Sequence, residues 1–190
     1  MQGFMTKRFN AHRGELQRTP FWGEGWAQYW EFHFLSKGLP RNNSDKVGML
    51  FWRLHRANRI IFSLNYHLGN WSADQAVDFL VEQGGFELAN AEAEVRRSLM
   101  GTNAKPSNYT DYTLSYPPLY QVGYMVGALQ FRALYQELVD SGKMSAAEFH
   151  DAIILGGRMP VELVRARLTK QSLTRDYKTK WNFYKPTKTK

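Results

Sequence analysis

Residues 42–70 read NNSDKVGMLFWRLHRANRIIFSLNYHLGN, and the reading of this stretch decides the fold class. Leu50, Leu54, Ile61 and Leu68 recur at helical spacing, no proline interrupts them, and Gly69-Asn70 supplies a stop. Ser44 or Asp45 is placed to cap the start. The pattern predicts one long helix. Opposite its leucines lie Arg53, Arg56, Arg59 and His67. Such a stripe either faces solvent, as charged helix faces usually do, or holds carboxylates, from a substrate terminus or from a partner such as Glu94.

The flanking segments read in the same way. Upstream, residues 2–18 carry Phe4, Met5, Phe9 and Leu16 at helical spacing, and a second helix runs from about Gly23 to Ser36, closed by Gly38 and Pro40. Downstream, Ser72 with Gln75 forms a capping box, and Gly84-Gly85 ends the helix it opens. ELANAEAEVRRSLM (87–100) is the next helix, and 101–117 is a polar loop of unusual length. A helix is predicted over 118–140, another opens at the Ser145/Glu148 capping box, and Pro160 suits the first turn of a last short one. No segment alternates as a strand does. The expectation is an all-α fold of about eight helices, with a helical body over 1–168 and a tail over 169–190. The tail is rich in Lys and Thr, with Tyr177, Trp181, Phe183 and Tyr184 interleaved. It is expected to be flexible, or draped on a partner surface.

Charge narrows the function classes. The net charge is +8, but nine Lys/Arg and only Asp176 fall within 165–190, which leaves sixteen residues of each sign in 1–164. A neutral body has no global basic footprint, so nucleic-acid binding is not expected. The tail is the one feature pointing that way, and such charge runs are usually solvated. Without cysteine there are no disulfides and no thiolate metal sites. No apolar run approaches the roughly 18 residues that span a bilayer, and the N-terminus has no signal-type apolar core. A membrane is not expected, and a cytoplasmic location is favoured.

The five histidines are His12, His33, His55, His67 and His150; none precedes a Glu and no two are four apart. No GxSxG, phosphate loop or GxGxxG is present. TPFWGEGWAQYWEF (19–32) is the unusual stretch, since Glu24 stands between two glycines and two tryptophans. On a helix Glu24 and Glu31 share a face. A carboxylate among indoles is costly unless paired or on a metal, whereas one at a helix start is exposed and favoured by the dipole. Further on, Tyr120 and Tyr124 share a face, beside a Gly123/Gly127 stripe that permits close helix packing. Such tyrosines are either core residues with a satisfied hydroxyl or catalytic donors.

GEGWAQYWE (23–31) resembles the Glu-Gly-Trp-Ala-Leu-Tyr-x-Glu segment of the bacterial domain-of-unknown-function 885 family, which looks like gluzincin-type zinc metallopeptidases. RANRIIFSLNYHLGNWSADQA (56–76), AEVRR (93–97), PLYQVGYMVGALQFRAL (118–134) and FHDAIILGGRMPVELV (149–164) resemble further family elements in the family's order. Three positions depart: Ser63 replaces an Asp, Tyr120 a Gln and Ser98 a Tyr. The resemblance implies the C-terminal half of a helical metallopeptidase acting on peptides. Glu24 would be the third protein ligand of a His₂Glu zinc, Tyr124 would donate to the oxyanion, and Arg56, Arg59, His67, Arg97 and Glu31 would surround the metal or the substrate. It also implies that the chain starts just past the family's two histidine ligands. Zinc is then expected in the full-length protein, with no tight zinc and no activity in this chain without the missing N-terminal half. The reading from a different class is a non-enzymatic helical interaction module with a basic tail.

Overall fold

A computed structural model describes residues 19–99 and 117–184. Every regular element among them is helical, in keeping with the all-α expectation. The helices are α1 (Pro20–Ser36), α2 (Asn43–His67), α3 (Ala73–Glu82), α4 (Leu88–Leu99), α5 (Val122–Tyr135), α6 (Ala146–Gly156) and α7 (Val161–Leu168). A π-helical turn, Gln136–Asp140, continues α5. The helix expected over 2–18 lies outside the described residues, as does the loop expected over 101–117, apart from Pro117, and the end of the tail.

Helix ends move where local chemistry outweighs periodicity. α1 starts at Pro20 rather than Gly23, because proline at the first helical position needs no acceptor for an N–H. Thr19 Oγ1 accepts the Phe21 N–H at 3.3 Å. Glu24 therefore sits in the second turn, so the helix-start reading of this carboxylate does not apply. The cap of α2 is Asn42, not Ser44 or Asp45: its side chain accepts the Asp45 N–H at 2.8 Å, and Asp45 pairs with Arg41 at 3.0 Å. α5 starts at Val122 rather than Pro118, since Leu119 turns the chain with φ at 63°, outside the right-handed helical region. Both capping boxes form as the sequence predicts.

The described residues divide into two units, 19–33 with 126–184 and 34–99 with 117–125. In the first, Trp22, Trp26, Phe131, Phe149, Ile153 and Val164 form the core. α1 and α5 cross backbone to backbone there. A Cβ on Gly25 would stand 2.5 Å from Gly127 Cα, and one on Gly127 would strike the Phe21 carbonyl, whereas Gly23 faces open space. The tail lies along α7: Glu162 accepts from the Tyr177 hydroxyl at 2.7 Å and from Thr179 at 2.6 Å. Arg165 forks onto Glu137 at 2.7 and 2.8 Å and lies over the Trp181 ring.

In the second unit Phe62, Ala76, Leu80, Ala91 and Val95 form the core where α2, α3 and α4 meet. α2 is turned against the usual rule. Its His55, Asn58, Arg59 and Ser63 are buried, while Leu50, Leu54, Ile61 and Leu68 are exposed. The leucines face out, and of the expected stripe Arg59 is buried, Arg53 and Arg56 are half-buried and His67 is exposed, so the solvated-stripe reading holds only at His67.

Candidate functional site

The inward side of α2 meets α4 at Glu94. This carboxylate is only 5% exposed, and a buried charge needs partners. Arg59 supplies them from α2, with Nε at 2.6 Å from Oε1 and a second, longer contact of 3.4 Å to Oε2. Arg97, one turn along α4, also pairs with Oε2, and Ser98 Oγ donates to Oε1 at 3.1 Å. Glu94 thus has three donors drawn from two helices. Burial alone would raise its pKa; the Arg59 hydrogen bond, with the charges of Arg59 and Arg97, outweighs that and holds it below the ordinary carboxylate range.

Tyr124, half-buried on α5, belongs to the same unit. The Arg59 and Arg56 guanidinium carbons lie 5.4 and 5.9 Å from its ring centre. Both cations approach the ring, an arrangement that fixes the phenol plane. His55 lies beside the cluster, edge-on to Trp52 and stacked on Phe86 at 5.0 Å. Its Nε2 is 3.7 Å from Glu94 Oε2, beyond a hydrogen bond, and neither ring nitrogen has a hydrogen-bond partner among the described residues. Burial first, then the Arg59 charge, push its pKa down to about 4, so the ring is neutral at pH 7.

The structure therefore gathers Arg56, Arg59, Arg97 and Tyr124, and of the α2 stripe it pairs Arg59 with Glu94. His67 stands apart, exposed at the last residue of α2. Glu24 and Glu31 are half-buried on α1. The two tryptophans nearest Glu24 do not wall it. Residues two apart on a helix differ by about 200°, so Trp22 and Trp26 point into the core and anchor α1, while the carboxylate emerges elsewhere.

A second cluster escaped sequence reading. In the first unit the Tyr29 hydroxyl and His150 Nε2 share a hydrogen bond of 2.9 Å, and the rings of Trp30 and His33 lie 4.5 and 5.2 Å from His150. Burial, then the charge of His33, lower the His150 pKa to about 4; burial raises that of Tyr29. The available signal was Tyr29 and His33 four residues apart on one helix face.

Among the described residues no three His, Asp or Glu side chains converge to hold a metal ion. Glu24 offers one carboxylate where a catalytic zinc takes three protein ligands, so the described residues do not by themselves fit that metal. No described helix is long and apolar enough to cross a membrane.

No curated protein matches the chain. A crystal structure described as that of "the putative lipoprotein from Colwellia psychrerythraea" is similar, with a TM-score of 0.63 and 26% identity over 80% of this chain. The match spans 24% of that protein's length. Residues 9–168 match the family described as bacterial protein of unknown function (DUF885), and the chain belongs to that family.

Proposed function

We propose that the chain is the C-terminal part of a zinc peptidase, in which Glu24 is one metal ligand and Tyr124 donates a hydrogen bond to the carbonyl oxygen of the scissile peptide. The two histidine ligands come from the N-terminal half that precedes this part, and the chain alone does not hydrolyse peptides. One observation carries the reading. The Glu94 cluster costs desolvation of a carboxylate and of the Arg59 guanidinium, and its yield is Arg59 held against the Tyr124 ring. That degree of order suits a group that must meet a reacting atom within a fraction of an ångström. Arg56, less buried than Arg59 and beside the same ring, is the arginine assigned to the substrate side of Tyr124.

Two substitutions in the longer protein test the assignment. Glu24→Gln should remove both the metal and the activity, because a neutral amide is a poor zinc ligand. Tyr124→Phe should keep the metal and lower kcat by roughly 10²–10³, the effect of one lost oxyanion donor. Stoichiometric zinc and full turnover in Glu24→Gln would refute the ligand role. Titration calorimetry of the present chain should show no tight zinc site.

A further inference from the structure

Tyr29 is the ring around which the aromatic cluster of the first unit is built. Trp26, Tyr29, Trp30 and His33 follow helical spacing and leave α1 on one face. α5 brings Phe131 and Tyr135 to that face, and α6 brings His150. The Tyr29 ring lies 5.0 Å from Trp26, within 11° of parallel, and 5.8 Å from Trp30. It is 2% exposed, whereas Trp30 and Tyr135 are half-buried and give the cluster its edge toward solvent.

The partner of the Tyr29 hydroxyl gives this core ring a chemistry. A buried phenol satisfied by a backbone carbonyl has no base to take its proton. Here the partner is His150 Nε2, at 2.9 Å. Phenol is the better donor of the two and imidazole the better base, so the hydroxyl donates to Nε2 and the ring proton sits on Nδ1. Both groups are neutral at pH 7, because burial raises the Tyr29 pKa and, with the His33 charge, lowers that of His150 to about 4. An imidazole so lowered is still a far stronger base than a phenol that has lost an electron.

We propose that Tyr29 and His150 form a proton-coupled redox pair. A one-electron oxidant such as the carbonate radical takes an electron from the cluster and becomes carbonate. Tyr29 supplies that electron as its phenolic proton crosses to Nε2, which leaves a neutral phenoxyl radical beside an imidazolium. An electron vacancy that first forms on Trp26 or Trp30 moves to Tyr29, where the accepted proton lowers its energy. A reductant such as ascorbate reverses both transfers, leaving as the ascorbyl radical and a proton. The pair thus offers oxidising equivalents a reversible resting place, in place of irreversible oxygenation of the tryptophans that anchor α1. It needs neither metal nor substrate, so it does not depend on peptide hydrolysis.

The test uses the full chain and photogenerated tris(bipyridine)ruthenium(III) as oxidant, with freezing after the flash for electron paramagnetic resonance. The parent should hold a neutral tyrosyl radical that outlives the tryptophan signals. Tyr29→Phe should lose it and leave the radical on tryptophan, while Tyr135→Phe should keep it. His150→Gln can still accept a hydrogen bond but is too weak a base to take the proton, and it should lose the tyrosyl signal too. Near-UV dichroism checks that each variant folds as the parent does. One measurement needs no variant. In the parent with isotopically labelled histidine, electron–nuclear double resonance should show a histidine nitrogen coupled to the phenoxyl. No tyrosyl radical in the parent, an equal yield in Tyr29→Phe, its loss in Tyr135→Phe, an unchanged yield in His150→Gln, or no histidine coupling would overturn the proposal. Each of these would leave Tyr29 as a packing ring whose hydroxyl is only satisfied.

Discussion

Arg59 and Glu94 are 35 residues apart in the chain and 2.6 Å apart in space, and this contact ties α2 to α4 inside the second unit. The exchange is asymmetric. The pair contributes modestly when intact, but removing one member strands a charge in a nearly dry site. Glu94→Ala should therefore destabilise the chain by about 3–5 kcal/mol, far more than substitution of an exposed acid such as Glu92. Urea unfolding followed by circular dichroism measures it. A loss below about 1 kcal/mol would mean that Arg59 finds water or another acceptor once Glu94 is gone.

Acid should loosen the fold before its carboxylates titrate. His55 and His150 have pKa values lowered to about 4 in the folded chain, against 6.5 unfolded. Between those values the unfolded state binds more protons, so stability is fully present above pH 6.5 and falls as pH drops toward 4. The Glu94 share, set by a lowered carboxylate pKa, persists above its unfolded value and is lost only at still lower pH. His55 should contribute about 2 kcal/mol of this loss, and half-buried His150 about 1 kcal/mol after solvent screening. Unfolding midpoints at pH 7, 6 and 5 should decline, and His55→Gln should flatten the decline. An unchanged slope in that variant would show that His55 is not held neutral.

The two glycines around Glu24 should respond in opposite directions to the same change. Gly25→Ala forces α1 away from Gly127 and should cost about 1–3 kcal/mol. Gly23→Ala meets nothing within 4 Å and should stabilise α1 by about 0.8–1.0 kcal/mol. Thermal melts of the two variants give the comparison directly. Equal Tm shifts would mean that the α1–α5 crossing is looser than its backbone contact.

The tail's contacts with α7 should be detectable and small. Trp181→Ala removes the ring beneath Arg165 and should cost about 0.5–1 kcal/mol, since the pair is open to water on one side. Cutting the chain after Leu168 should also release Glu162 from Tyr177 and Thr179. Binding of a labelled oligonucleotide at moderate salt should be weak and the same with and without the tail. A marked loss on truncation would make the tail a nucleic-acid contact.

Local signals in the sequence translated directly into structure. Ser72 with Gln75 and Ser145 with Glu148 form their capping boxes because both partners lie within one turn and no distant residue competes. Glu94 was one of the carboxylates the sequence offered to the α2 arginines, and Arg59 is the one that takes it. The orientation of α2 was not legible. Periodicity separates its two sides but cannot say which one the neighbours cover, and here α4 brings a carboxylate that draws the polar side inward. The surroundings of Glu24 were not legible either. Neighbours in the chain are not neighbours on a helix, so the tryptophans that crowd it on the page point into the core. His55 had no signal, because a single histidine carries no spacing.

The same aromatic crowding gives the molecule optical labels of its own. In the second unit Trp52 lies 5.3 Å from the His55 ring, and in the first Trp30 lies 4.5 Å from His150. A protonated imidazole quenches an excited indole by accepting its electron, whereas a neutral one does so weakly. Each unit thus holds an emitter beside its own proton-dependent quencher, while the stacked pair Trp22 and Trp26, 6.5 Å apart, gives α1 a dichroic signature through coupling of their transitions. With the other tryptophans replaced by phenylalanine, emission from Trp52 reports the charge of His55 and emission from Trp30 that of His150, with no dye and no added tag.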